Sequence, residues 1–217
     1  MALQDLSSRD GVRPDEGKEK QETGQRWVWF ITGPTACGKT TVAKYLADKL
    51  GFSFVEGDDF HPQSNREKMA RNEALTDEDR AAWLDALRKQ ETAPSSPTQH
   101  RVVTCSALKR QYRDVLRGVS GSGSNSRPTE RKGKGNGSLL QVRFVFLDVE
   151  EEELRRRARE RKGHFAGEGL VQSQMQALER PVEEDERDVI VVRVQGGGGV
   201  EETERKVLGR VKEMMGL

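Results

Sequence analysis

The segment formed by residues 26–50 constrains the fold of this chain more than any other. It opens with a continuous run of β-branched and aromatic residues, RWVWFIT, which is typical of a strand buried on both faces of a sheet. A glycine-rich turn follows directly, and over residues 39–50 the apolar side chains share one face of a predicted helix that Gly51 ends. A buried strand that leads through such a turn into a helix predicts an α/β fold with a parallel sheet.

The rest of the chain repeats this alternation of strands and helices. Further strands are predicted at residues 52–56, 102–105, 139–147 and 188–194, and further helices begin near residues 76, 108, 150, 170 and 200. Parallel strands joined by right-handed helical crossovers place a sheet between two helical layers. We therefore expect three layers, α/β/α, around a sheet of five parallel strands.

The turn after the first strand, GPTACGKT at residues 33–40, fits the pattern G-x-x-x-x-G-K-[ST] of the P-loop NTPase fold. Backbone N–H groups of such a loop point inward, and the next helix adds the partial positive charge of its N-terminus, so the loop binds polyphosphate. Lys39 is predicted to bridge the β- and γ-phosphates of ATP, and the Thr40 hydroxyl to ligate Mg²⁺. The predicted nucleotide-binding residues are Gly33, Pro34, Thr35, Ala36, Cys37, Gly38, Lys39, Thr40 and Thr41.

The charge balance argues against two classes of partner. Lys and Arg total 37 and Asp and Glu total 36, which gives a net charge of +1. A chain so nearly neutral has no overall field that would attract nucleic acid or an anionic membrane. Because no run of about 18 apolar residues occurs, no membrane span is expected either. We predict no nucleic-acid partner and no membrane partner.

Cysteine usage and the N-terminal residues bear on the cellular compartment. Cys37 and Cys105 are too far apart in sequence for a metal-binding motif and too few for a disulfide framework, which favours a reducing compartment. Residues 1–25 contain no apolar core of a signal peptide, and their acidic residues argue against a transit peptide. These features predict a cytoplasmic location.

A phosphate-binding loop does not by itself separate a kinase from a GTPase or a motor ATPase. The guanine-reading motif N-K-x-D is absent from the sequence, and the large ATPases usually need a longer chain. The class that remains is the small-molecule kinases, in which an arginine-bearing lid closes over the nucleotide. We predict one kinase domain at residues 26–217, with a lid region at residues 150–180, after a disordered extension at residues 1–25. Residues 118–138 are rich in Gly and Ser and predict a low-complexity surface insertion.

Several blocks, taken in order, resemble the P-loop gluconokinase family. They are GDDFHPQSNREKM at residues 57–69, LTDEDR at 75–80 with Trp83 and Leu84, CSALK at 105–109 with Tyr112 and Arg113, and RKGHF at 161–165. The sequence departs from the family at Ala74 and Ala82, where proline is frequent, and in the Pro-Thr-Ala-Cys filling of the loop. The resemblance implies an enzyme that uses ATP and Mg²⁺ to convert D-gluconate to 6-phosphogluconate, and it allows a homodimer.

The substrate-binding candidates suit a sugar acid, which offers one carboxylate and a row of hydroxyls. Asp58 follows the second strand, where open α/β sheets bind ligands, and is predicted to orient the attacking hydroxyl and accept its proton. A turn cap is the structural alternative for Asp58, and a structural hydrogen bond is the alternative for His61. Arg80, Lys109 and Arg113 are candidates for the substrate carboxylate because the resemblance includes them; otherwise they are solvated helix charges.

The charged run EEEELRRRARERK at residues 150–162 predicts the helical lid. Glu and Arg residues four apart explain most of its charges as surface ion pairs. Arg157 and Arg161 share one face and precede GHF, so they are the predicted catalytic pair that closes on the phosphates, while His164 is predicted to contact substrate or seat the hinge. Two other functions stay open: a shikimate or nucleoside monophosphate kinase, and a nucleotide-binding protein without turnover.

Overall fold

The computed structural model describes residues 25–71, 73–92, 99–119, 131–132, 139–160, 168–195 and 199–217. Its strands are β1 (Gln25–Thr32), β2 (Ser53–Val55), β3 (Arg101–Thr104), β4 (Arg131–Lys132), β5 (Leu139–Val149) and β6 (Val189–Val194). Its helices are α1 (Lys39–Leu50), α2 (Gln63–Ala70), α3 (Asp77–Thr92), α4 (Arg110–Arg117), α5 (Glu151–Glu160), α6 (Glu168–Gln176) and α7 (Val200–Met215). A 3₁₀ turn at Gly57–Phe60 joins β2 to α2.

Five parallel strands form the sheet in the order β2-β3-β1-β5-β6, which confirms the predicted α/β class. The first strand lies in the centre, with Phe30 opposite Val103 of β3 and Phe144 of β5. The short strand β4 pairs antiparallel with the start of β5, where Arg131 faces Leu140. It falls within the predicted insertion and was not expected from the sequence.

Helices cover both faces of the sheet because successive side chains of a strand point to opposite sides. On one face Trp29 and Ile31 pack with α1 and α7, through residues such as Leu46 and Val207. On the other face Phe30 packs with α3 and α4, through residues that include Trp83, Leu84, Leu87 and Leu116. The carboxyl ends of β1, β2, β3 and β5 therefore meet at one edge of the sheet, between the two helical layers.

Helix α3 begins with the capping box that the sequence predicts. The Asp79 N–H donates to the Thr76 hydroxyl at 3.2 Å, and the Thr76 N–H donates to the Asp79 carboxylate at 2.9 Å. The helix α2 was not predicted, because its sequence QSNREKMA has almost no apolar face. Within the residues described, no helix is long and apolar enough to cross a membrane. The predicted extension at 1–25 lies almost wholly outside the described residues.

Candidate active site

The phosphate-binding loop joins β1 to α1 at the carboxyl edge of the sheet. Its first residue, Gly33, has φ +136°, and a Cβ there would lie 2.9 Å from both the Cys37 sulfur and the Leu147 carbonyl oxygen. Gly38, at the start of α1, has φ +103°. Both positions need glycine for conformational reasons, and the loop can therefore wrap its N–H groups around an anion.

Lys39 folds back over this loop. Its ammonium group donates hydrogen bonds to the carbonyl oxygens of Gly33 at 3.1 Å and Pro34 at 2.8 Å. Carbonyl oxygens carry only a partial negative charge, so a phosphate oxygen is a stronger partner for the ammonium group. The side chain is placed to move from these carbonyls to a polyphosphate.

Glu56, directly after β2, is a site residue that the sequence analysis missed. Its carboxylate accepts hydrogen bonds from the hydroxyl of Thr40 at 3.0 Å and from the hydroxyl of Thr104. The Thr104 hydroxyl in turn accepts the Gly57 N–H at 3.0 Å. The available signal was an acidic residue at the carboxyl end of a strand, two positions before Asp58.

The Glu56 carboxylate and the Thr40 hydroxyl together fit a magnesium ion that is bound mainly by phosphate and water. Mg²⁺ typically takes one or two protein oxygens and completes its shell with substrate phosphates and waters. Among the described residues, no group of three or more His, Cys, Asp or Glu side chains is arranged to hold a metal by itself. A cation at this place would depend on the nucleotide.

Asp58 lies in the 3₁₀ turn that follows. Its side chain is 69% exposed, and its Oδ1 is 3.9 Å from the Nε2 of His61. The preceding Gly57 is buried so closely that a Cβ would overlap the carbonyl group of Thr104. Because the 3₁₀ turn can approach β3 this tightly only at glycine, Gly57 holds the start of the turn that carries Asp58 against Thr104.

Cys105 lies directly after β3 and is buried. Burial raises the pKa of its thiol to about 12; a backbone hydrogen bond at Ala107 and the charge of Lys39 oppose this rise, and the charge of Asp58 adds to it. Both cysteines, Cys37 and Cys105, are buried free thiols.

His61 is buried against the aromatic ring of Trp83. The two rings are stacked with their centroids 4.0 Å apart, and the His61 side chain is 4% exposed. Burial, followed by the nearby positive charges of Arg80 and Arg66, lowers the pKa of His61 to about 4. The imidazole is therefore neutral at pH 7.

Arg80 and Lys109 both lie near the ring of Tyr112. Their cationic groups lie 5.8 Å and 5.6 Å from the centre of the Tyr112 ring. Lys109 also donates to both oxygens of Asp77 at 2.8 Å, and Tyr112 donates to the same carboxylate at 2.5 Å. The hydrogen bond from Lys109, then that from Tyr112, lowers the pKa of Asp77 to about 2. The cluster therefore contains two cations and one carboxylate, and the Lys109 ammonium group already has Asp77 as its partner.

Arg113 has a different environment. It is 1% exposed, and its guanidinium donates to the carboxylate of Glu186 at 2.9 and 2.6 Å. It also donates to the carbonyl oxygens of Ala107, Leu108 and Glu179. Through these contacts Arg113 holds the loop that carries Lys109 in place. Substrate binding by Arg113 remains a prediction.

Helices α5 and α6, which lie in the predicted lid region, contact the phosphate loop. Arg157 donates to Glu153 at 2.6 Å and reaches the Cys37 carbonyl oxygen at 3.5 Å. From α6, the side-chain oxygen of Gln174 accepts the Thr35 N–H at 2.6 Å. Gln174 was not predicted, because a single polar residue on a short helix gives no signal. Two other predicted residues, Arg161 and His164, lie outside the described residues.

Comparison with known proteins agrees with this arrangement. A family profile described as an AAA domain matches residues 30–176. The chain is 38% identical over 193 residues to a probable gluconokinase of Schizosaccharomyces pombe, which covers 88% of this chain and 90% of that protein. It is 40% identical over 170 residues to a gluconokinase of Gluconobacter oxydans, which covers 76% of this chain and 80% of that one. A solved gluconokinase from Sinorhizobium meliloti has a TM-score of 0.65 at 31% identity, and the match covers 89% of this chain and 96% of that one.

The matching proteins extend over nearly all of the described domain, including the phosphate loop and the residues after β2. The match with the solved structure extends the likeness from sequence to fold. The chain belongs to the gluconokinase family of P-loop kinases.

Proposed function

We propose that this enzyme transfers the γ-phosphoryl group of ATP to D-gluconate, which gives ADP and 6-phosphogluconate. The observation that carries the proposal is the contact between the phosphate loop and the residues after β2: Lys39 hydrogen-bonds the loop, Thr40 hydrogen-bonds Glu56, and Asp58 follows Glu56 by two positions. This arrangement brings a site for polyphosphate next to a carboxylate that faces solvent. The relatives named gluconokinase support gluconate more than shikimate or a nucleoside monophosphate as the acceptor.

The phosphate loop and Lys39 would bind the triphosphate of ATP. Phosphate oxygens would replace the carbonyls of Gly33 and Pro34 as partners of the Lys39 ammonium group. Its charge would then stabilise the negative charge that builds up on the transferring group. Backbone N–H groups of the loop after Pro34 and the N-terminus of α1 would hold the other phosphates, while the Gly33 N–H donates to the Ser106 carbonyl oxygen.

We also propose Mg²⁺ as the cation, held by the Thr40 hydroxyl and by Glu56, directly or through water. Magnesium supplies neutralisation of phosphate charge when it is bound. The carboxylate of Glu56 contributes by holding the Thr40 hydroxyl in place.

Asp58 is the proposed acceptor of the proton from the attacking hydroxyl. Its exposed carboxylate can reach a bound alcohol, and an Asp has this function in other kinases. The cationic side chains of Arg80 and Lys109 are proposed to attract the carboxylate of gluconate, and His61 to contact a hydroxyl. Arg113 is also a proposed substrate residue, but its contacts with Glu186 indicate a structural role.

The lid region at 150–180 is proposed to close over ATP and to bring Arg157 and Arg161 to the phosphates. In support, Arg157 already reaches the carbonyl oxygen of Cys37 within the loop. Closure would exclude water and so limit hydrolysis of ATP. His164 is proposed to contact substrate or to seat this lid. A cytoplasmic location and a homodimer complete the proposal, the first in keeping with two buried free thiols.

A kinase assay across acceptors tests this function. Purified protein with ATP and Mg²⁺ should release ADP with gluconate but not with shikimate or AMP, and mass spectrometry should find a singly phosphorylated gluconate. The variant Lys39→Ala should lower the rate by about 10² to 10³, whereas Lys44→Ala, an exposed lysine on the same helix, should not change it. Turnover of shikimate or AMP alone would overturn the substrate, and ATP binding without any turnover would indicate a non-catalytic nucleotide-binding protein.

A further inference from the structure

A buried amide at the start of α2 is held in one orientation by a backbone carbonyl. Asn65 is 1% exposed, and its side-chain nitrogen donates a hydrogen bond of 2.8 Å to the Asp79 carbonyl oxygen. A carbonyl oxygen accepts hydrogen bonds and cannot donate them, so the NH₂ end of the Asn65 amide must face Asp79. The orientation of this amide is thereby determined by the backbone of α3.

The same nitrogen faces the imidazole of His61. Asn65 Nδ2 lies 3.3 Å from His61 Nδ1, and an amide NH₂ group has a second proton to donate. A nitrogen that only donates needs an acceptor opposite it, so Nδ1 must be the ring nitrogen without a proton. In a neutral imidazole the proton is then on Nε2. The low pKa of His61 keeps the ring neutral near pH 7, with Arg80 and Arg66 as the nearby cations.

Trp83 fixes the plane of the ring. It is 2% exposed, its indole N–H donates to the Gly57 carbonyl oxygen at 2.9 Å, and its ring stacks on His61 at an angle of 19°. Because Gly57 precedes Asp58, the tryptophan links the histidine to the turn that carries the carboxylate. The imidazole can neither flip nor tilt without the loss of one of these contacts.

The protonated nitrogen of His61 lies near Asp58. The distance from Nε2 to Asp58 Oδ1 is 3.9 Å, which is too long for a direct hydrogen bond. One oxygen atom can, however, lie within hydrogen-bond distance of both groups. Such an oxygen would meet an N–H donor on one side and a carboxylate acceptor on the other.

We infer that His61 and Asp58 bind one hydroxyl of the substrate with a fixed polarity, and that Asn65 is the positioning residue that sets it. The hydroxyl accepts from Nε2–H of His61 and donates to the carboxylate of Asp58. This inference rests on the proposed function and deepens it. During transfer the hydroxyl proton moves to Asp58, the oxygen bonds to the γ-phosphorus, and the bond from that phosphorus to the oxygen of ADP breaks.

The fixed polarity determines which acceptors the site takes. An alcohol can donate and accept at once, so it satisfies both groups. A carbonyl oxygen only accepts, and it would leave the Asp58 carboxylate facing a lone pair. The pair should therefore bind an alcohol more tightly than an aldehyde or a ketone of the same shape, which has no hydroxyl proton to lose and could act only as an inhibitor.

Nitrogen-15 NMR of the histidine rings tests the tautomer without any need for substrate. The chain has three histidines, so few signals must be assigned. At pH 7 we expect His61 to be neutral with its proton on Nε2. His100 is an internal reference, because its Nδ1 accepts the Trp27 N–H at 3.0 Å, a contact that does not involve Asn65. A proton on Nδ1 of His61, or a doubly protonated ring, would overturn the inference.

Variants of Asn65 test its part in the tautomer. In Asn65→Ala the donor is absent, so His61 should become a mixture of both neutral tautomers, while His100 stays unchanged. In Asn65→Asp the new carboxylate is an acceptor and should shift the proton to Nδ1. The exposed Gln63 on the same helix, as Gln63→Ala, is the matched control. If Asn65→Asp does not fold, the spectrum of Asn65→Ala decides; an unchanged His61 signal there would show that Asn65 does not set the polarity.

Kinetics of His61 variants test the use of that polarity. A Gln side chain places an amide near the position of Nε2, whereas the shorter Asn places it near Nδ1. His61→Gln should therefore retain about ten times more kcat/KM for the alcohol than His61→Asn, the size of one hydrogen bond. Equal activity of the two variants would contradict the directional contact. If gluconate is not the acceptor, the NMR result stands by itself; if the tautomer is wrong while gluconate is turned over, the inference alone fails.

Discussion

The side-chain oxygen of Gln174 on α6 accepts a hydrogen bond of 2.6 Å from the backbone N–H of Thr35 in the phosphate loop. The two residues are 139 positions apart in sequence. This contact ties the proposed lid region to the loop that would bind ATP. It also gives a partly buried backbone N–H an acceptor.

The loss of this contact should weaken ATP binding. We expect Gln174→Ala to raise KM for ATP about three- to tenfold and to lower the free energy of unfolding by about 1 kcal/mol, because the loop loses one hydrogen bond. Gln174→Glu keeps the acceptor, so its stability should be near that of the wild type, but its negative charge near the phosphates should raise KM further. The measurements are steady-state kinetics and urea denaturation.

The control for this prediction is Gln172→Ala, since Gln172 is an exposed glutamine on the same helix. A lower KM for ATP in Gln174→Ala would mean that the contact competes with the nucleotide.

Removal of the Glu56 charge should change the response to magnesium. Gln keeps oxygen and nitrogen atoms near the hydroxyls of Thr40 and Thr104 but has no charge to attract a cation. We therefore expect Glu56→Gln to raise the Mg²⁺ concentration for half-maximal rate about tenfold. A titration of the rate with Mg²⁺ at saturating ATP measures this. Glu67→Gln, an exposed position on α2, serves as the control, and an identical titration curve for Glu56→Gln would rule out the proposed metal contact.

Truncation of Arg113 should destabilise the domain. Arg113→Ala leaves the Glu186 carboxylate buried without this partner. Such a loss typically lowers the free energy of unfolding by about 3 to 5 kcal/mol. The double variant Arg113→Met with Glu186→Gln removes both charges, and Gln still offers an acceptor to Arg117. We expect the double variant to recover most of the free energy of unfolding.

The same double variant separates structural support from substrate binding. If Arg113 supports the loop of Lys109, the double variant should retain gluconate KM within a fewfold of the wild type. A well-folded double variant with a much higher KM would instead place Arg113 in contact with substrate. Arg110→Ala, an exposed arginine on the same helix, is the control.

His61 should make the stability of the domain depend on pH. Its pKa is about 4 in the folded state and about 6.5 in its ordinary state, so between these values the unfolded chain binds a proton that the folded chain does not. The free energy of unfolding should therefore fall as the pH is lowered from 6.5 towards 4, by up to about 1.4 kcal/mol for each pH unit. Denaturation by guanidinium chloride at several pH values tests this. His61→Gln lacks the titrating group and should have a smaller slope over this range; equal slopes would contradict the shifted pKa.

Much of the fold followed from short-range patterns. The strand at residues 26–32 and the helix that begins at Lys39 were predictable, because a continuous apolar run and a one-sided helical pattern are local properties. The phosphate loop was predictable because Gly33 and Gly38 adopt positive φ angles that favour glycine, and both glycines belong to a short motif in the sequence. The helix α2 was not predicted, because its residues are nearly all polar and the residue that it buries is Asn65.

The site was predicted less completely than the fold. Asp58, Lys39 and Thr40 belong to motifs, whereas Gln174 and Glu56 act through partners in distant parts of the chain. Arg113 and Lys109 were predicted with the same role, and their environments differ: Arg113 is buried against Glu186, whereas Lys109 is partly exposed and pairs with Asp77. Whether an arginine is buried depends on which carboxylate lies next to it in the fold, and this cannot be deduced from the residue type.

The sequence by itself determined the parallel sheet, the phosphate loop and the family, because these depend on periodicity and on residues close together in the chain. Only the tertiary structure decided that Glu56 holds Thr40, that Gln174 reaches Thr35, and that Asn65 orients His61. Hydrogen bonds are short and directional, so their partners are determined only when the strands and helices have packed.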